Sequence, residues 1–169
     1  MLNAFSALQE KQKNALLIIV PRHPERFEQV FQLAKKQSFE TYRKTENALP
    51  PEDAQVYIGD TMGEMLIYLA LADLVIMGGS FVPVGGHNLL EPAALQKASI
   101  TGPHTFNFTD ITEQLIKVGH TTKVDNAKHL AQSLILHCEH FENLSKQGEN
   151  GLQVVKSNQG ALQKTLASL

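Results

Sequence analysis

A single cysteine, Cys138, stands among 169 residues, which excludes an internal disulfide and, without thiol companions, a cysteine-based zinc centre. That usage agrees with a reducing compartment. An excess of either charge is lacking too: the formal net charge is −2, and no basic run lines up to serve a polyanion groove or an anionic lipid surface. Nucleic acid is therefore not an expected partner, and any anion held here should be small and local. Long apolar runs are also missing. "ALLIIV" (15–20) and "MLIYLALADLVIM" (65–77) are too short or too interrupted to span a bilayer, and the first residues form no signal-peptide pattern, so this chain is expected to be soluble. No internal repeat or low-complexity segment occurs. At 43% hydrophobic and 19% charged residues, the composition fits one globular domain, 1–169, with a sizeable core.

Strand-length apolar runs alternate with helical periodicity along the chain. "ALLIIV" is followed, after "PRH", by "PERFEQVFQLAKKQ", where Phe27, Val30, Phe31 and Ala34 fall at i, i+3, i+4 and i+7. "AQVYIG" (54–59) leads through "DTMG" into "EMLIYLALA", and "DLVIMG" (73–78) leads through a long glycine-rich loop into "NLLEPAALQ". "ASITG" (98–102) leads through "PHTFNF" into "TDITEQLIKVG". "FETYRKT" (39–45) reads as a weaker strand and "HTTKVD" (120–125) as a last edge strand. From about 126 to 169 the pattern is helical: "NAKHLAQSLILHCEHFENLSKQG", a polar "ENG" break, then a final helix to Leu169. Strands apolar throughout suit a parallel sheet covered on both faces, so the expected class is α/β, a doubly wound parallel sheet.

In parallel βα units every loop leaving the carboxyl end of a strand lies on one edge of the sheet, where open α/β proteins bind ligands. "PRHPER", "GDTMGE", "GGSFVPVGGHNLLEP" and "GPHTFNF" all leave strands in that way. In the third of these, glycines let backbone N–H groups approach a ligand, and a helix starting after Asn88 would aim its unsatisfied donors at the same space: a phosphate seat. Asn88 with Glu91 three residues on also has the form of a capping box, which would tie both to the helix start. Neither G-x-G-x-x-G nor G-x-x-x-x-G-K-[ST] is present, which disfavours a dehydrogenase or a P-loop NTPase. In "PRHPERF", Arg22 has the planar fork suited to phosphate, His23 is a second donor, and Arg26 faces solvent or pairs with Glu25. In "GDTMGEM", Asp60 or Thr61 with Glu64 suits a helix cap, while the backbone near Met62 and Gly63 suits the edge of a base. No D-x-D or His-carboxylate cluster has metal-ligand spacing. Ser80 with His87 lacks the G-x-S-x-G elbow of a nucleophilic serine.

Taken together, "PRHPERF", "GDTMGEM", "GGSFVPVGGHNLLEPAA" and "GPHTFNF", in that order over residues 15–125, closely resemble the C-terminal half of the bacterial 3-deoxy-D-manno-octulosonic acid (Kdo) transferases of lipopolysaccharide assembly. The resemblance implies a Rossmann-like domain, half of a GT-B glycosyltransferase, that binds CMP-Kdo as donor substrate. It implies that the catalytic base, a glutamate, and the membrane anchor of many members belong to an N-terminal acceptor domain absent here, so that no catalytic residue lies in this chain. Carried onto matching positions, Arg22 and His23 would face the phosphate, Met62 and Gly63 the cytosine, and Ser80, Gly85, Gly86 and Asn88 the phosphate region. Glu91 would receive the ribose hydroxyls. His87, His104 and Asn107 would lie toward the sugar or acceptor. Val84 stands where relatives often carry a more polar residue. The family's transfer needs no metal or cofactor, and its acceptor is a lipid A precursor at the cytoplasmic face of the inner membrane. Two other readings stay open: the donor half of a UDP-sugar GT-B enzyme, and a stand-alone nucleotide-binding module.

Overall fold

The continuous apolar runs become short parallel strands, the arrangement that hides both faces of a strand from water. The computed structural model describes residues 1–46 and 48–167. It holds two three-stranded parallel sheets, one in each of two units, Met1–Tyr68 and Leu69–Leu169. Both sheets are flanked by helices, and the class is α/β.

In the first unit, helix α1 (Leu2–Lys11) precedes β1 (Leu17–Ile19), and a 3-10 turn at Pro24–Arg26 opens α2 (Phe27–Lys36). Strands β2 (Thr41–Arg43) and β3 (Val56–Ile58) follow, and α3 (Met65–Leu71) begins before the unit ends. The order is β1-β3-β2, so β3 is central, and its three residues are all buried. The 3.6-residue period of α2 puts Phe31 and Ala34 into the core. Polar β2 is held at the sheet edge by its last residue: the Arg43 guanidinium lies 4.6 Å from the Phe31 ring centroid and pairs with Glu28 at 2.7 Å and Glu46 at 2.5 Å.

In the second unit, β4 (Val75–Met77) runs into a 3-10 turn at Gly78–Ser80, then α4 (Leu90–Ala94), β5 (Ser99–Thr101), α5 (Thr109–Lys117) and β6 (Thr121–Lys123). The order β4-β5-β6 leaves β6 at an edge, as its polar sequence predicts. Two helices close the unit, α6 (Ala127–Glu139) and α7 (Asn143–Ala167). Asn126 caps α6, its side chain accepting from the His129 N–H at 2.9 Å. Leu89, Ala93, Leu115 and Val154 form a core cluster against which Met77, Ile111 and Val155 pack.

One boundary differs from expectation. The helical break comes at residues 140–142, and "ENG" lies inside α7. The glycines near it are points of close approach. A Cβ added at Gly148 would fall 1.9 Å from the Gln96 carbonyl oxygen just after α4, and one added at Gly151 would fall 2.0 Å from the His120 ring. The expected end of this helix at Leu169 lies outside the described residues. Among the described residues no helix is long and apolar enough to cross a membrane.

Candidate functional site

At the carboxyl edge of the first sheet, the loop after β1 carries Arg22 and His23. Both are exposed. The Arg22 side chain has no partner among the described residues, and His23 stands 3.9 Å from Glu25, an exposed contact of little energetic weight. Arg26, expected to face solvent or pair with Glu25, is exposed and makes no ion pair among the described residues.

The loop after β3 is anchored at both ends. Asp60 is buried at its start, and its carboxylate accepts from the Thr45 N–H at 2.9 Å and from the Thr45 hydroxyl at 2.5 Å. At the other end Glu64 accepts from Lys44 Nζ at 2.9 Å and from the Thr61 hydroxyl. Those bonds hold the Glu64 carboxyl below its ordinary range, the Thr61 bond first, and its partner Lys44 is pushed up by Glu64. The helix-cap reading of Asp60, Thr61 and Glu64 is thereby replaced. The carboxylates reach Lys44 and Thr45, just past β2, and the Thr61 hydroxyl instead of the first N–H groups of α3. Between the anchors Met62 is 62% exposed, and Gly63 adopts φ +83° with nothing within 4 Å of where a Cβ would stand.

At the carboxyl edge of the second sheet, two loops are laced together. Ser80 is fully buried. Its hydroxyl donates to the Met77 carbonyl at 2.5 Å and accepts from the Gly102 N–H at 2.6 Å. Its carbonyl accepts from the His104 N–H at 3.0 Å. The Asn107 N–H donates to the Gly85 carbonyl at 3.2 Å, and Asn107 Nδ2 to the Val84 carbonyl at 3.3 Å. Ser80, expected among the phosphate contacts, therefore has no hydroxyl proton left for a ligand; it ties β4 to the loop after β5. Gly85 and Gly86, at φ +97° and +80°, are required by the same lacing: a Cβ on the first would fall 2.1 Å from Asn107 Nδ2, and on the second 3.0 Å from the His104 carbonyl. His87 packs over Gly79, where an added Cβ would fall 2.4 Å from its Nε2.

The capping box at Asn88 does not form. Its Oδ1 accepts from the Leu90 N–H at 3.1 Å, an Asx turn, and α4 has no side-chain cap. Glu91 is left exposed with its carboxylate unpartnered among the described residues. With only five residues, α4 contributes a small dipole. The donors that remain are backbone ones: the N–H groups of Gly85, Gly86 and Asn88 find no acceptor among the described residues. Orphaned N–H groups beside positive-φ glycines suit a small anion, and a free carboxylate one turn further on suits hydroxyl groups. Among the described residues no group of three or more His, Cys, Asp or Glu is placed to hold a metal ion. The sequence pattern singles out neither Lys44 nor Thr45, although both stand just beyond the carboxyl end of a parallel strand, the position that marks candidates.

No family model matches the chain. It is 41% identical over 167 residues to a 3-deoxy-D-manno-octulosonic acid transferase of Haemophilus influenzae, covering 98% of this chain and 39% of that protein. A transferase of the same description from Bordetella pertussis is 37% identical over 75% of this chain and 30% of its own length. The chain thus spans about two-fifths or less of these relatives. Among solved structures, the C-terminal CMP-Kdo binding domain of WaaA from Acinetobacter baumannii matches with a TM-score of 0.79 at 32% identity, over 90% of this chain and 81% of that domain. Shared sequence along nearly the whole chain and a shared fold over most of a solved domain lead to one conclusion: the chain belongs to the 3-deoxy-D-manno-octulosonic acid transferase family.

Proposed function

We propose that this chain, residues 1–169 taken as one domain, is the donor-binding part of a Kdo transferase. It holds CMP-Kdo while an acceptor domain of the same polypeptide presents a lipid A precursor at the cytoplasmic face of the bacterial inner membrane. The observation that carries the reading is the fold and sequence match to a domain described as CMP-Kdo binding, over 81% of that domain.

Each loop offers groups that fit a part of the donor. Arg22, exposed and unpaired, neutralises the phosphate, with His23 beside it. The N–H groups of Gly85, Gly86 and Asn88 take phosphate oxygens. Met62 and Gly63 meet the cytosine, and Glu91 accepts from the ribose hydroxyls. His87, His104 and Asn107 are assigned to the side of the sugar or the acceptor. In an inverting transfer the acceptor oxygen bonds the anomeric carbon from the face opposite CMP. The breaking bond leaves its electron pair on the phosphate oxygen, and the acceptor proton passes to a carboxylate base outside this chain. Arg22 and the backbone donors stabilise the departing phosphate, a task that elsewhere falls to a metal ion.

Binding is measured by calorimetry with CMP, UMP, UDP and cytidine, with and without EDTA. CMP should bind tightest and independently of metal. Arg22→Ala should weaken CMP by roughly 1.5–3 kcal/mol and cytidine far less, since the lost bond is a charge-assisted one to phosphate. The chain alone should transfer no Kdo, because base and acceptor positioning are missing. Preference for UDP would move the chain to another class of donor.

A further inference from the structure

The tip Thr61–Gly63 is exposed at Met62 and Gly63, yet its backbone is pinned on either side. Asp60 is held by both the N–H and the hydroxyl of Thr45, at 2.9 and 2.5 Å. Glu64 is held by Lys44 Nζ at 2.9 Å and by the Thr61 hydroxyl. Both anchors come from adjacent residues just past the end of β2, itself locked by the ladder to β3 and by the bond from the Lys44 N–H to the Ile58 carbonyl at 3.0 Å. Two charged or bidentate braces on a three-residue tip exceed what turning from β3 into α3 requires. Their effect is to fix where the free N–H groups of Met62 and Gly63 point, and a ligand binding such a tip loses less ordering entropy.

Resting on the reading that this tip meets the nucleobase, we infer that Lys44 and Thr45 are positioning residues for base recognition, acting on the ligand only through Glu64 and Asp60. Lys44→Met removes one brace and keeps the aliphatic stem. Thr45→Val removes the hydroxyl bond and keeps shape. Lys44→Arg restores a cation.

The probes are CMP and ribose 5-phosphate, which share the phosphate and sugar and differ in the base. Dissociation constants are read by calorimetry and folding by thermal melting. Lys44→Met and Thr45→Val should each weaken CMP about five- to tenfold, the worth of one well-placed hydrogen bond. Ribose 5-phosphate affinity should be unchanged, and Lys44→Arg should recover most of the CMP loss. Equal weakening of both ligands, or a lower melting temperature with CMP binding intact, would overturn the inference and leave the braces a stabilising role only. If Met62→Ala abolishes the parent's preference for CMP while Lys44→Met and Thr45→Val do not, the base-facing reading stands and this inference falls. A parent chain that binds CMP no better than ribose 5-phosphate sinks both, by failing before any variant is made.

Discussion

Replacing Ser80 by alanine separates two roles that one hydroxyl can play. With the latch role, the substitution strands the buried Gly102 N–H, which donates to the Ser80 hydroxyl oxygen at 2.6 Å, and frees the Met77 carbonyl bonded at 2.5 Å. Leaving a buried backbone donor unmet costs about 1–3 kcal/mol. For a chain of this length that is a fall in melting temperature on the order of 2–12 °C. CMP binding would weaken only as far as the loop loses order. With a phosphate-contact role the pattern inverts, with stability held and CMP binding reduced by about 1.5–3 kcal/mol, roughly ten- to a hundredfold. Urea and thermal unfolding followed by circular dichroism measure the first quantity, calorimetry the second. Gly102→Ala attacks the same junction from its other side, because the new Cβ would fall 2.4 Å from the Ser80 carbonyl oxygen. It should destabilise the chain while leaving the hydroxyl in place. An unaltered melting temperature in Ser80→Ala together with a hundredfold loss of CMP would refute the latch.

Glu91 caps nothing in the structure, so Glu91→Gln should keep the parent's melting temperature and still weaken CMP by at least about 1 kcal/mol through the lost charge on a hydroxyl acceptor; a variant that binds like the parent would dismiss the ribose role. Burial pushes the His120 imidazole down, with the Lys97 backbone pulling weakly the other way, so the unfolded chain binds this proton more readily than the folded one. Stability from His120 should therefore be complete above about pH 6.5 and decline as pH falls below it toward the lowered native value, and His120→Gln should flatten that slope in urea unfolding measured from about pH 7.5 to 5; an unchanged slope would assign the decline to other groups.

Period and run length carried the elements well because both are local. The i, i+3, i+4, i+7 spacing of α2 reaches the core through Phe31 and Ala34, and β6 takes the edge its polar residues suit. Capping patterns carried less. Thr61 and Glu64 have the right spacing for a cap, but a cap competes with any stronger partner. Lys44, twenty residues earlier, supplies one at 2.9 Å. Asn88 and Glu91 have it too, and there the Asn88 oxygen takes the nearer Leu90 N–H. A local spacing names which groups can bond without naming their rivals. The braces on the Met62 loop were therefore out of reach, since each joins residues 15 or 20 apart across two strands.

Glycine was the residue most open to two readings, because it supplies two separate things: backbone freedom and a missing side chain. Gly85 and Gly86 use both, and the nearer cause is the loop after β5 pressed against them; any ligand would use what that packing leaves over. Gly148 and Gly151 use only the second. Their backbone is helical, so each lowers helix stability by roughly 0.5–1 kcal/mol relative to alanine. The loss is offset because alanine would put a Cβ 1.9 Å from the Gln96 carbonyl oxygen and 2.0 Å from the His120 ring. Their spacing of three residues marks the difference. It sets both glycines on one face of a helix, where two gaps serve a neighbour, whereas a helix terminus needs one glycine in the left-handed region at its end.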